Sequence, residues 1–72
     1  MSKELRKAAK DAVEMLKGNE NLTIVSFTFD KAYVSKREDH IELAQMVSRE
    51  IDALTMFKVT EVNQLEISII RN

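Results

Sequence analysis

The spacing of apolar residues changes twice along the chain from a helical to an alternating pattern, and this order limits the fold more than any other feature. Residues 3–17 carry apolar side chains three and four positions apart, the spacing of one helix face: Leu5, Ala8, Ala9, Ala12, Val13 and Leu16. Ser2 is a favourable N-cap, and Gly18 suits the left-handed position that follows a last turn. We therefore predict a first helix over residues 3–17.

Residues 22–29 are rich in β-branched and aromatic side chains that alternate, which predicts a strand. One face of this strand carries Val25, Phe27 and Phe29. Residues 32–34 are consistent with a short returning strand and equally with a bulged continuation of the first strand, because periodicity does not separate the two.

A second helix is predicted to begin directly after Ser35, because Ser35 and Glu38 have the spacing of a capping box. It is expected to run to about residue 54, with an apolar stripe broadened by two further residues: Ile41, Ala44, Val47, Ile51 and Leu54, with Leu43 and Met46.

Two further strand-like runs cover residues 56–62 and 65–71, and a hairpin should join them. A three-residue loop over residues 62–64 gathers the large apolar side chains on one face, since it sets Phe57 opposite Ile69. A two-residue loop sets polar residues against isoleucines instead, so we predict the longer loop.

The order of these elements, α-β-(β)-α-β-β, predicts a single α+β domain over residues 1–72. We expect two layers, with both helices packed on one face of a three- or four-stranded, mainly antiparallel sheet. With residues 32–34 counted as a strand, the order corresponds to a permuted ferredoxin-like arrangement.

Composition excludes several classes of function. The 72 residues contain 11 Lys and Arg and 12 Asp and Glu, for a formal charge of −1, which removes the uniform attraction that nonspecific binding to nucleic acid or anionic membranes uses. Without cysteine there is no thiolate nucleophile and no Cys-ligated zinc. The one glycine excludes a glycine-rich phosphate loop. The short apolar runs favour a cytoplasmic protein that does not bind a membrane.

Nothing in the sequence has the spacing of a catalytic or metal site. His40 falls in the first turn of the second helix, and no nucleophile or base at a suitable spacing accompanies it, so a boundary or surface position is expected. The acidic residues Glu38, Glu42, Glu61 and Glu66 are expected to form solvated faces, because no calcium-type loop surrounds them. We therefore expect no enzymatic activity, no cofactor, no metal ion and no small-molecule site.

The outer face of the sheet offers the most informative candidate site. Several large apolar side chains would lack a partner there in a two-layer monomer: Leu22, Ile24, Met56, Val62 and Ile70. A core of this size rarely supplies more than about 3–5 kcal/mol, which also favours association.

These observations predict a small cytoplasmic protein–protein interaction or regulatory module without catalytic activity, acting as a homodimer or by docking on a partner protein. One form such a module takes is a small bacterial or bacteriophage regulator that docks on a host factor. The alternative is a nucleic-acid-binding module that uses the basic ridge of the first helix: Lys3, Lys7, Lys10 and Lys17.

Overall fold

The computed structural model describes residues 1–30, 36–60, 62 and 64–72. Within this part of the chain the structure contains two helices and three strands: α1 (Lys3–Gly18), β1 (Ile24–Asp30), α2 (Arg37–Glu50), β2 (Ala53–Val59) and β3 (Gln64–Arg71). The element order is therefore α-β-α-β-β. The predicted strand over residues 32–34 and the capping residue Ser35 lie outside the described residues.

The three strands form one antiparallel sheet in the order β1-β3-β2, with the last strand of the sequence at its centre. Both helices cover the same face, because their buried side chains meet the alternate residues of β3 that are also buried: Leu65, Ile67 and Ile69. The predicted two-layer α+β fold is confirmed.

The core consists of two adjoining clusters between the helices and the sheet. The first comprises Leu5, Ala9, Leu43, Leu65 and Ile67, and the second comprises Ala12, Val13, Leu16, Val47 and Ile69. Phe27 of β1 packs against both clusters and joins them. Among the described residues the buried set is entirely hydrophobic, so apolar burial is the main contribution to stability.

The first helix begins as predicted and ends differently. Ser2 is its N-cap, and the Ser2 hydroxyl accepts a hydrogen bond from the Leu5 N–H at 3.1 Å. The prediction of a left-handed Gly18 is wrong, because Gly18 belongs to the last helical turn and Asn19 is the C-cap. The Asn19 N–H donates to the Leu16 carbonyl at 3.4 Å, and the guanidinium of Arg71 also donates to the carbonyl oxygens of Leu16 and Asn19.

The second helix is shorter than the sequence pattern indicates. It begins at Arg37, with Lys36 in the N-cap position, and ends at Glu50. The Ile51 N–H donates to the Val47 carbonyl at 3.1 Å, and the backbone is extended from there. The predicted extension to residue 54 is wrong because residues from Ala53 onward pair with β3.

Two members of the predicted apolar stripe of α2 are not buried between the helix and the sheet. Leu54 lies on the outer face of the sheet, with 53% of its surface exposed, and Ile41 is 48% exposed on the flank of α2. The buried residues of the helix are Leu43 and Val47.

The predicted hairpin register is wrong by two residues. Phe57 pairs with Ile67 instead of Ile69, and the strand begins three residues earlier than predicted. The turn is closed by the Thr60 N–H, which donates to the Gln64 carbonyl at 2.8 Å, while the Thr60 hydroxyl accepts from the Gln64 N–H at 3.1 Å. Because side chains alternate with a period of two, this slip leaves residues 56–59 and 65–71, which both the prediction and the structure place in strands, on their predicted faces.

Candidate interaction surfaces

The outer face of the sheet, opposite the helices, carries an apolar patch at one end. Strand pairing sets Ile24, Ile70 and Leu54 side by side across all three strands. Met56 follows in the next row of β2, and 46–53% of the surface of Ile24, Leu54 and Met56 is exposed. We call these four residues, Ile24, Leu54, Met56 and Ile70, the outer apolar patch.

The rest of the outer face is polar. In the row of Met56, the hydroxyl groups of Ser26 and Ser68 lie 2.8 Å apart and form a cross-strand hydrogen bond. The next row places Glu66 opposite Lys58, a pairing of opposite charges that stabilises adjacent strands. The apolar surface is therefore confined to the end of the sheet at which β2 begins and β3 ends.

The structure brings together three of the five predicted interface residues. Ile24, Met56 and Ile70 belong to the outer apolar patch. Leu22 does not, because it precedes β1 and packs against the second core cluster, so its assignment to the outer face is wrong. Val62 is 74% exposed, but it lies in the hairpin turn at the opposite end of the sheet.

Leu54 belongs to the patch and was missed by sequence reasoning, which placed it on the second helix. A signal for its true position is present in the sequence. Residues 53–57 continue the strand alternation backward from Phe57, with Leu54 and Met56 on the face opposite to Phe57. The helical spacing from Val47 through Ile51 to Leu54 competes with this pattern over the same residues.

The basic ridge of α1 is exposed along its length, but its neighbours reduce its positive charge. Lys17 Nζ lies 3.2 Å from Glu50 Oε2, and the guanidinium of Arg6 lies 3.2 Å from Glu42 Oε1. The lysines of α1 that form no ion pair within the described part of the chain are Lys3, Lys7 and Lys10. Carboxylates of α2 thus balance part of the charge that a phosphate backbone would need.

The same helix pair binds the α-amino group of Met1. Its nitrogen lies 3.3 Å from Asp39 Oδ1 and 3.4 Å from Glu42 Oε2. The hydrogen bonds that this amino group donates to the carboxylates of Asp39 and then Glu42 raise its pKa above the ordinary value. Both carboxylates stabilise the protonated form, and they link the start of α1 to the first half of α2.

His40 lies at the boundary of the core. Its imidazole stacks on the ring of Phe57, with the ring centroids 4.2 Å apart and the planes inclined by 8°. Among the described residues no three His, Cys, Asp or Glu side chains form a group able to hold a metal ion. Neither described helix has the length and apolar character that crossing a membrane requires.

A cavity of about 240 Å³ lies between the two helices. It is lined by Arg6, Lys10, Val13, Glu14, Met46 and Glu50. Its volume is below the roughly 300–1,000 Å³ of ordinary ligand sites, and its charges are of both signs. The lining contains no hydroxyl, thiol or imidazole group.

Comparison with known proteins gives no match to the chain, whether to a family model, a curated protein or a solved structure.

Proposed function

We propose that this protein is a small cytoplasmic protein–protein interaction module of regulatory type, without catalytic chemistry of its own. Its contact surface is the outer apolar patch. The observation that supports the proposal is the alignment of Ile24, Ile70 and Leu54 in one row across the uncovered face, with Met56 beside them. Contiguous apolar residues on an open sheet face are typical of surfaces that bind another protein.

The size of the patch indicates what kind of contact it supports. Full burial of a Leu, Ile or Met side chain contributes about 1.5–3 kcal/mol, so covering Ile24, Leu54 and Met56, which are about half exposed, contributes roughly 2–5 kcal/mol. Association itself costs an estimated 4–15 kcal/mol or more. The patch therefore acts as an apolar centre that needs further contacts around it, such as those of an adjoining strand edge.

A charge-insertion experiment tests this surface. The variant carries Ile24→Lys and Ile70→Lys, and the control carries Thr28→Lys and Gln64→Lys on the same two strands and the same outer face. Each tagged protein is used to capture partners from a native cytoplasmic extract, and its fold is checked by circular dichroism.

Proteins retained by the wild type and the control but lost with the patch variant support the proposal. Equal retention of every protein by a folded patch variant contradicts it.

The alternative function, binding of nucleic acid, is favoured by one observation: Lys3, Lys7 and Lys10 are exposed along one side of α1. Because ion pairs with α2 balance part of the charge of this helix, we predict that binding is absent or weaker than micromolar at physiological salt. Titration with DNA and RNA at two salt concentrations measures it. Submicromolar binding that is abolished by Lys3→Glu, Lys7→Glu and Lys10→Glu would make nucleic-acid binding the leading function.

A further inference from the structure

The edge of β2 is open in the described part of the chain, where β2 pairs with β3 alone. The Asn72 N–H donates to the Asp52 carbonyl at 3.1 Å, and the Thr60 N–H donates to the Gln64 carbonyl at 2.8 Å. Both bonds join even-numbered residues, so the backbone N–H and C=O groups of the even-numbered residues of β2 point toward β3. In an antiparallel ladder the backbone N–H and C=O groups of successive residues point to opposite sides of the strand. Those of Ala53, Thr55 and Phe57 therefore point away from β3, toward the open edge.

This edge lacks the devices that usually prevent pairing with another chain. β2 is seven residues long and contains no proline and no glycine, and its one charged residue, Lys58, lies near its end. Edge strands that must stay single are normally short, bulged, interrupted by proline or rich in charge. As far as the described residues go, the outward backbone groups of Ala53, Thr55 and Phe57 are thus available to a further strand.

We propose that a second copy of this chain occupies the edge. The two β2 strands pair antiparallel about a two-fold axis at Thr55 and form one continuous sheet. The inference deepens the proposed function, since it rests on the assignment to an interaction role and names one partner, but it uses a different surface from the centre of the outer apolar patch.

Two features of β2 select the Thr55 register. Thr55 Oγ1 is buried without a hydrogen-bond partner among the described residues, and the two-fold axis sets it beside the partner's Thr55, so each hydroxyl gains a hydrogen-bonding neighbour. The same register sets Asp52 opposite the partner's Lys58, and the symmetry forms this pair twice.

Moving the two-fold axis to Met56 or Phe57 removes both the pairing of the two Thr55 hydroxyls and the pairing of Asp52 with the partner's Lys58. An axis at Met56 sets Thr55 opposite the partner's Phe57 and Lys58 opposite the partner's Leu54. An axis at Phe57 sets Thr55 opposite the partner's Val59 and Lys58 opposite the partner's Met56. In both cases the Thr55 hydroxyl and the Lys58 ammonium group face apolar side chains, which costs free energy on burial.

The Thr55 register also extends the outer apolar patch. Leu54 lies opposite the partner's Met56, so the patches of the two copies adjoin on one face of the joined sheet. A two-fold axis between antiparallel strands is perpendicular to the sheet, so both α2 helices lie on the opposite face. The flank of α2 beside the β2 edge, which includes Ile41 and Ala44, then faces its counterpart across the axis.

Complementary charge variants test the register. Asp52→Lys alone sets lysine opposite the partner's Lys58, and Lys58→Asp alone sets aspartate opposite the partner's Asp52. Mixed together, the two variants form a heterodimer in which both cross-strand pairs are again attractive. The control is Asp11→Lys, an equal change of charge at an exposed position of α1.

Sedimentation velocity from micromolar to near-millimolar concentration measures self-association, with one variant fluorescently labelled in the mixtures and the fold checked by circular dichroism. We expect the wild type and Asp11→Lys to dimerise, each β2 variant alone to dimerise at least about tenfold more weakly, and the mixture of the two β2 variants to recover. A monomeric wild type over this range overturns the proposal, and so does a mixture that associates no better than its components. The lysines inserted at Ile24 and Ile70 test the outer apolar patch separately, because neither position lies on β2.

Discussion

Replacing Arg71 with methionine tests whether one side chain at the end of β3 stabilises the end of α1. In the wild type the guanidinium donates hydrogen bonds to the carbonyl oxygens of Leu16 and Asn19. Leu16 lies in the last turn of the helix and Asn19 is its C-cap, at the end where the helix dipole is negative. Each carbonyl also accepts one backbone N–H, from Asn19 and Leu22 respectively, so Arg71 adds a second donor to each. Methionine preserves a long, flexible apolar side chain and removes the donors and the charge.

The expected loss follows from opposing contributions. A hydrogen bond from a charged donor contributes about 1.5–3 kcal/mol, and a cation near a helix C-terminus adds about 0.3–1 kcal/mol. Against these, Arg71 Nε is buried without a hydrogen-bond partner among the described residues, which costs about 1–3 kcal/mol in the wild type. Two such bonds at the lower end of that range, with the other contributions at mid-range, give a net decrease of about 2 kcal/mol in the free energy of unfolding, or about 8–16 °C in Tm for a domain of this size.

Urea and thermal unfolding followed by circular dichroism measure this loss. Lys17→Met is the matched control, because Lys17 is a cation at the same helix end whose ion pair with Glu50 is exposed. An exposed pair contributes about 0–1 kcal/mol, so the control should change little. Losses in Arg71→Met and Lys17→Met that agree within about 0.5 kcal/mol would refute the role assigned to Arg71.

Three further perturbations have defined outcomes. Ile67→Ala at a fully buried position of β3 should lower the free energy of unfolding by about 2–5 kcal/mol, and a loss below about 1 kcal/mol in urea unfolding would contradict the core described above. Thr55→Val should raise it by about 1 kcal/mol at concentrations where the chain is monomeric, because an unpaired buried hydroxyl is removed; an unchanged urea midpoint would count against this reasoning. Asp39 and Glu42 raise the pKa of the Met1 amino group, so their contribution is complete below its ordinary value of about 8 and is lost as pH rises through the higher folded value. A chemically synthesised chain with a free amino group should therefore lose more Tm between neutral and alkaline pH than its N-acetylated counterpart, and parallel curves for the two would exclude this contribution.

Local signals were sufficient for the first helix and for the faces of the strands. The apolar spacing of residues 5–16 fits only a helix, and the Ser2 N-cap bonds within its own turn. In the same way, Val25, Phe27 and Phe29 face the core because they alternate with polar residues. These features depend on neighbours in the sequence, so one sequence is enough to predict them.

The end of α2 and the hairpin register depend on distant residues. Ile51 and Leu54 fit a helical stripe, and residues 53–57 fit a strand equally well, so the outcome is decided by pairing with β3. The register has the same ambiguity, because a slip of two residues preserves the faces, and the alternatives differ in which distant residues bond, such as Thr60 with Gln64 and Asp52 with Asn72.

The sequence by itself determined the two layers of this protein and the side of the sheet that the helices cover. The tertiary structure alone decided which outer residues become neighbours, since the row of Ile24, Ile70 and Leu54 forms only when three strands align. It also decided that Leu22 joins the core and that Arg71 binds the end of α1, 55 residues earlier in the chain. Periodicity reports the environment of each residue along one element, whereas a surface is formed by residues from several elements, whose alignment depends on the packing of the whole chain.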